Sequence, residues 1–168
     1  DVKILLAKAS HYRTIYLTGI TIAILKKEAR NRLLDFLNVC KNTGKTVIMD
    51  SNYREVLWEN KYAAQSALLD LAAVSDVSLI SLDDERALWG EECTGNEVST
   101  RYHNQGVTEV VVKSRAAPIL VSRRNFYQEI PVDPVKNIVD ATGAGDAFNA
   151  GYIFARFKGY DLVNSVKL

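Results

Sequence analysis

Short apolar runs alternate along the chain with stretches in which apolar residues recur every three or four positions. The apolar runs predict strands at residues 14–19, 46–50, 77–82, 109–113 and 119–122. The recurring pattern predicts helices at residues 26–42, 60–74, 84–89 and 97–105, a helix after the turn at Gly143 that ends near Gly159, and an amphipathic helix that begins at Tyr160. Strands that alternate with helices and read as continuous apolar runs are typical of an α/β fold. We therefore expect a mostly parallel central sheet with helices on both faces, a Rossmann-like core.

Composition and charge narrow the function classes. The chain has 168 residues, of which 48% are hydrophobic and 24% are charged, so a single domain with a real core is expected. The net charge of +1 gives no basic face, and no nucleic-acid partner is expected. No apolar run approaches membrane-spanning length, so no membrane partner is expected either. Two cysteines in unrelated contexts favour a reducing cytoplasm.

Polar residues follow each of the predicted parallel strands. In sheets of this kind, ligands bind beyond the carboxyl ends of the strands. These polar segments are therefore expected to converge on one cleft, and they comprise Gly19, residues 50–54, residues 82–85, residues 113–115 and the turn around Gly143.

The segment from Asp140 to Asp146 reads D-A-T-G-A-G-D and precedes an apolar helical pattern. A helix that starts near Ala144 would direct several free backbone N–H groups at an anion. Asp146 would lie in its first turn, where a carboxylate can take a proton from a hydroxyl beside that anion. Such a pairing suits phosphoryl transfer to an alcohol. The alternative is a glycine-rich turn that simply leads into a helix.

This segment resembles the second signature of the ribokinase-like (pfkB) sugar-kinase family, usually written D-T-x-G-A-G-D. Only Ala141 departs from it, and the residues that follow continue as the family's helix does. The resemblance extends from Thr14 to Leu168 and implies that residues 1–168 are a single, incomplete ribokinase-like domain. Such a domain would lack the family's N-terminal strands, its lid and its C-terminal adenine-binding segment, and we expect it to be inactive alone.

The resemblance also implies a reaction and roles for residues. The reaction is phosphorylation of a sugar hydroxyl by ATP, with Mg²⁺ on the nucleotide phosphates. Asp146 would be the catalytic base and contact the substrate, and the N–H groups of Gly143, Ala144 and Gly145 would form the anion hole. The nucleotide-binding residues implied are Lys113, Ser114, Thr142, Gly143 and Gly145. Homo-oligomerisation is possible for the full-length protein.

The segment D-S-N-Y-R follows a predicted strand and precedes V-L-W. Asn52 and Arg54 can both face a ligand there, because the planar guanidinium of arginine pairs with two oxygens of a carboxylate or phosphate. On the residues alone, a polar turn with a solvated arginine is favoured. The pattern D-x-N-x-R nevertheless looks like the sugar-acid branch of the family, the 2-dehydro-3-deoxygluconate kinases, and this implies that Asn52 and Arg54 bind the acid substrate. The alternatives are a kinase for a neutral sugar such as fructose or ribose, and a non-catalytic fragment.

An acidic cluster, L-D-D-E, follows the third predicted strand. Its carboxylates could hold Mg²⁺ through water, or they could favour the N-terminus of the next helix through its dipole. The family motif at this place is N-x-x-E. Glu85 matches its glutamate, which implies an indirect metal contact, while Leu82 stands where asparagine is typical.

Overall fold

The computed structural model describes residues 2–90, 92–115, 117–133 and 137–167. Its strands form one six-stranded sheet whose order follows the sequence. The strands are β1 Thr14–Thr18, β2 Thr46–Asp50, β3 Val77–Ser81, β4 Glu109–Lys113, β5 Ile119–Arg123 and β6 Phe126–Ile130. The strands β1 to β4 are parallel, and β5 and β6 are antiparallel additions at one edge.

One helix precedes the first strand, five helices connect the parallel strands, and two helices come after the last strand. They are α1 Val2–Ala9, α2 Gly19–Ala23, α3 Lys27–Asn42, α4 Lys61–Ala73, α5 Leu82–Trp89, α6 Gly95–Asn104, α7 Ala144–Phe157 and α8 Leu162–Val166. A short 3-10 helix, Glu55–Leu57, lies between β2 and α4.

Two buried clusters show that helices cover both faces of the sheet, as predicted. Alternate residues of a strand face opposite sides, so Val47 and Met49 belong to one cluster and Ile48 belongs to the other. The first cluster receives side chains from α3, α4 and α6. The second receives Tyr152 of α7 and Leu162 of α8. The α7 helix therefore reaches the sheet from the face opposite to the connecting helices.

The predicted strands and helices are confirmed, and no predicted end differs from the observed one by more than two residues. The helices predicted from 84 and from 97 begin earlier, at Leu82 and Gly95, because the Ser81 and Thr94 side chains cap them. Four elements of the described residues were not predicted: α1, α2, β6 and the 3-10 helix. The strand β6 is exposed along its first four residues, so it carries no apolar run.

Gly19 was predicted as the last residue of the first strand, but it is the first residue of α2. A Cβ atom at this position would lie 2.0 Å from the carbonyl oxygen of Ser51. Only glycine allows this approach, which joins the chain leaving β1 to the chain leaving β2. Two of the predicted cleft segments are therefore in direct contact.

We expect Gly19→Ala to lower the free energy of unfolding by about 2 kcal/mol or more, because the backbone must move to admit the methyl group. Gly151→Ala is the matched control. Gly151 lies inside α7 with open space around its missing Cβ, so this change should raise the free energy of unfolding by about 0.5–1 kcal/mol. Urea unfolding measures both values, and equal effects of the two substitutions would contradict the close contact.

Candidate functional site

A largely buried polar network joins β1, β2 and β4 to α7. Asn149 of α7 donates from Nδ2 to Asp50 Oδ2 at 2.6 Å and to the Tyr16 hydroxyl at 3.1 Å. Lys113 Nζ donates to Asn149 Oδ1 at 2.7 Å and lies 3.6 Å from Asp50 Oδ2. Asp50 and Asn149 are 4% and 2% exposed. The network fixes the first turns of α7 against the middle of β1 and the carboxyl ends of β2 and β4.

Lys113 brings a positive charge close to the start of α7. Its Nζ atom lies 4.0 Å from the position that a Cβ of Gly145 would take. Burial lowers the pKa of Lys113, and the carboxylates of Asp50, Asp84 and Asp146 act in the opposite direction. Burial also raises the pKa of Tyr16 to about 12, so its hydroxyl stays protonated and keeps its place in the network. The ammonium group is thus paired with Asp50 and lies within the electrostatic reach of two further carboxylates beside the glycine turn.

The turn before α7 has the geometry of an anion site. Asp140 Oδ1 accepts the N–H of Thr142 at 2.8 Å, and Gly143 adopts a φ of +75°, which favours glycine. Within the described part of the chain, no hydrogen bond occupies the N–H groups of Gly143, Gly145 or Asp146. Unpaired N–H groups at a helix N-terminus bind anions.

The structure differs from the sequence prediction at one of the three donors. The N–H of Ala144 donates to the carbonyl oxygen of Ala141 at 3.1 Å, which closes a four-residue turn. Its hydrogen is therefore used within the turn. Among the described residues, the N–H groups of Gly143, Gly145 and Asp146 are the free donors at this site. Asp146 was predicted as a base and a substrate contact, through its side chain, and not as an N–H donor.

Asp146 is exposed in the first turn of α7, as predicted. It borders an open groove of about 520 Å³ that is otherwise mostly apolar. The groove is also lined by Tyr16, Asn149, Ala150, Ile153, Phe154 and Phe157. A carboxylate at the mouth of a groove, next to free N–H groups, can reach a hydroxyl of a bound molecule.

The turn after β2 carries the predicted substrate residues. Asn52 has a φ of +31°, a conformation that costs energy for any residue other than glycine. Its N–H donates to Asp50 Oδ1 at 3.1 Å, and the next N–H, of Tyr53, donates to Asp84 Oδ2 at 3.1 Å. Within the described residues, the buried Oδ1 atom of Asn52 has no hydrogen-bond partner. That oxygen therefore has unused hydrogen-bonding capacity, and Arg54 is exposed two residues later.

The carboxylates of the acidic cluster do not converge. Asp83 lies 3.4 Å from the exposed Arg115, and Asp84 holds the turn after β2. Glu85 is 1% exposed and accepts hydrogen bonds from Arg101 Nη1 at 2.5 Å and from the Tyr102 hydroxyl at 2.8 Å. In the parts of the chain that the structure describes, no group of three His, Cys, Asp or Glu side chains could hold a metal ion. The metal contact of Glu85 stays a prediction, and the geometry instead gives Glu85 a structural role.

The remaining predicted nucleotide residues border the same region. Ser114 directly follows β4 and is half-buried, and its Oγ accepts the N–H of Ala117 at 3.1 Å. Thr142 is exposed in the glycine turn. The sequence analysis missed the roles of Asp50, Asp84 and Asn149. Asn149 alone gave a usable signal, because it lies three residues after Asp146 and so on the same side of the helix.

A parallel α/β sheet with a glycine turn at a helix N-terminus defines a class of phosphate- and nucleotide-binding proteins. Within that class, residues 3–168 match the model of the pfkB family carbohydrate kinases. The chain belongs to this family.

Similar proteins agree with this assignment. A 2-dehydro-3-deoxygluconokinase of Dickeya dadantii is 42% identical over 156 residues, covering 91% of this chain and 50% of its own length. The Escherichia coli protein of the same name is 38% identical over 161 residues, covering 94% of this chain and 52% of its own. The crystal structure of a PfkB protein from Polaromonas superposes with a TM-score of 0.80 at 29% identity, covering 99% of this chain and 52% of the other. The chain spans about half the length of these relatives.

Among the helices of the described residues, none is both long enough and apolar enough to cross a membrane.

We expect Glu85 to make stability depend on pH. Burial raises its pKa from 4.5 to about 6, against the opposing effects of Tyr102 and Arg101. The folded state therefore binds this proton more tightly than the unfolded state, so the contribution is present below pH 4.5 and is lost as pH rises through 6. When the pH is lowered from 7 to 5, the contribution of Glu85 to the free energy of unfolding should increase by about 1 kcal/mol. Chemical denaturation at both pH values measures this as a difference between the unmodified chain and Glu85→Gln. The same pH dependence in both proteins would contradict it.

Proposed function

We propose that a kinase containing this chain transfers the γ-phosphoryl group of ATP to a hydroxyl of 2-dehydro-3-deoxygluconate. The observation that carries the proposal is the juxtaposition of free N–H groups, a buried lysine and an exposed carboxylate at the start of α7. The choice of substrate rests on the names of the Dickeya and Escherichia relatives and on the turn that carries Asn52 and Arg54. The whole protein, of which these residues would be part of one domain, supplies the remainder of the site.

The phosphates of ATP would bind at the N-terminus of α7. The N–H groups of Gly143, Gly145 and Asp146 would donate to phosphate oxygens, with Thr142 and Ser114 at the edges of the site. Lys113 would stabilise the negative charge that develops on the transferring phosphoryl group. Mg²⁺ keeps several waters and binds mainly to nucleotide phosphates, so it needs no cage of protein ligands, and it would neutralise phosphate charge.

The substrate hydroxyl would lie next to Asp146. As its oxygen bonds to the γ-phosphorus, the bond to the bridging oxygen of ADP breaks, and Asp146 takes the hydroxyl proton. The products are the phosphate ester and ADP.

The acid end of the substrate would meet Asn52 and Arg54. The exposed guanidinium of Arg54 can pair with both oxygens of a carboxylate, and the unpartnered Oδ1 of Asn52 can accept a hydrogen bond from a substrate hydroxyl. A cytoplasmic location agrees with ATP as the donor and with Cys40 and Cys93 as free thiols. Homo-oligomerisation of a full-length protein stays a prediction.

Asp146→Asn should lower kcat by about 10²–10⁴-fold, because the base is lost while its shape is kept. The measurement requires a full-length kinase that carries this segment, either the parent protein or a fusion in which residues 1–168 replace the matching half of the Dickeya relative. The Kd of ATP should change little. Asp70→Asn, on an exposed position of α4, is the control for the change of charge and should keep normal turnover. Near-normal kcat in Asp146→Asn would rule out its role as the base.

Arg54→Ala should raise the KM for the sugar acid by about 10- to 150-fold, the value of a hydrogen-bonded charge pair of roughly 1.5–3 kcal/mol. The KM for ATP should stay nearly constant. Arg54→Lys should recover only part of the loss, because an ammonium group cannot make the paired contact. Arg32→Ala, at an exposed position of α3, is the control. Equal losses for ATP and sugar acid, or equal turnover of fructose and the sugar acid by the unmodified protein, would contradict the acid-binding role.

A further inference from the structure

The carboxylate of Asp84 takes no part in the proposed reaction, but it contacts the turn after β2 that carries Asn52 and Arg54. Asp84 Oδ2 accepts the N–H of Tyr53 at 3.1 Å, across a separation of 31 residues. Tyr53 lies between Asn52 and Arg54, the two residues proposed to bind the acid end of the substrate. A shift of this single contact would therefore move both of them.

The beginning of α5 fixes the position of Asp84. Ser81 caps the helix, and its Oγ accepts the N–H of Asp84 at 3.3 Å. The neighbouring carboxylates are engaged elsewhere, Asp83 beside Arg115 and Glu85 with Arg101. Of the three, Asp84 is thus the one whose described hydrogen bond goes to the turn after β2.

The turn needs support from outside because its conformation is strained. Asn52 has a φ of +31°, which persists in a folded protein only when its surroundings hold it. Two carboxylates hold successive amides there: Asp50 accepts from Asn52 and Asp84 accepts from Tyr53. Removal of either acceptor would allow the backbone at Asn52 to relax to a less strained conformation.

Asp84 also lies within electrostatic reach of Arg54. Burial raises the pKa of Asp84, and the Tyr53 N–H and the positive charge of Arg54 act in the opposite direction. The charges of Asp50 and Lys113 reach the same carboxylate. Asp84 therefore influences the guanidinium of Arg54 as well as the backbone that carries it.

We propose that Asp84 is a positioning residue that sets where Asn52 and Arg54 meet the acid end of the substrate. This inference rests on the proposed function. Asp84 itself does not touch the substrate, and it acts through the N–H of Tyr53. Through Asp84, the helix α5 contributes to the selection of a sugar that bears a carboxylate.

The kinetic test uses a full-length kinase that carries this segment. Asp84→Ala should raise the KM for the sugar acid by about 10-fold and leave the KM for ATP within about 2-fold, because one hydrogen bond to a charged group is lost. Asp84→Asn should restore most of the binding, since its amide oxygen still accepts from Tyr53. Asp83→Ala is the matched control, one residue away on the same helix, and should leave both values unchanged.

A second readout needs no activity. Hydrogen exchange of the Tyr53 amide, followed by NMR in the 168-residue chain, should be about 10-fold faster in Asp84→Ala and near normal in Asp84→Asn. A merely structural role of Asp84 would instead speed exchange throughout α5 and change the KM values for both substrates. If Asp84→Ala does not fold, Asp84→Glu replaces it, because the longer side chain must displace the turn and should raise the KM for the sugar acid alone.

The outcomes separate the two proposals. Absence of sugar-acid kinase activity in the unmodified full-length protein would contradict the proposed function, and this inference with it. Normal sugar-acid kinase activity with an unchanged KM in Asp84→Ala would overturn the inference alone. A selective rise in that KM, matched by faster exchange at Tyr53, supports it.

Discussion

The hydrogen bond between Asn149 and Asp50 holds the candidate site together. It spans 99 residues and joins α7, which follows the antiparallel strands, to the end of β2 in the parallel part of the sheet. Both side chains are buried, so loss of either partner would leave an unsatisfied polar group in the interior. Lys113 depends on the same pair, because its buried charge is stabilised by Asp50 and its Nζ donates to Asn149.

This arrangement gives the start of α7 two sources of positive potential. The free N–H groups of the first turn supply one, and the ammonium of Lys113 beside Gly145 supplies the other. Neither has to reorganise when a phosphate arrives, because the buried network already fixes both. Asp146 lies in the same turn, so the geometry proposed to hold an anion also places a carboxylate beside it.

The sequence predicted the parts of this site that depend on local rules. The strands follow from apolar runs, and the glycine turn follows from the need for a positive φ at Gly143. The roles of Asn149 and Asp84 were not predictable in this way, because their partners lie 99 and 31 residues away. The predicted donor at Ala144 differs from the others for a local reason: its N–H closes a four-residue turn, a contact that the sequence pattern did not indicate.

The acidic cluster shows how one capping residue can decide what a motif does. Had the helix begun at Asp84, Asp83 would have remained in the loop and could have approached the other carboxylates. Ser81 instead caps α5, so the helix begins at Leu82 and all three acids lie within its first turn and a half. Successive residues of a helix are about 100° apart around its axis, so three adjacent carboxylates face three directions and cannot share one metal ion. Each carboxylate consequently contacts a different neighbour. The cap at Ser81 places Asp84 beside the turn that carries Arg54.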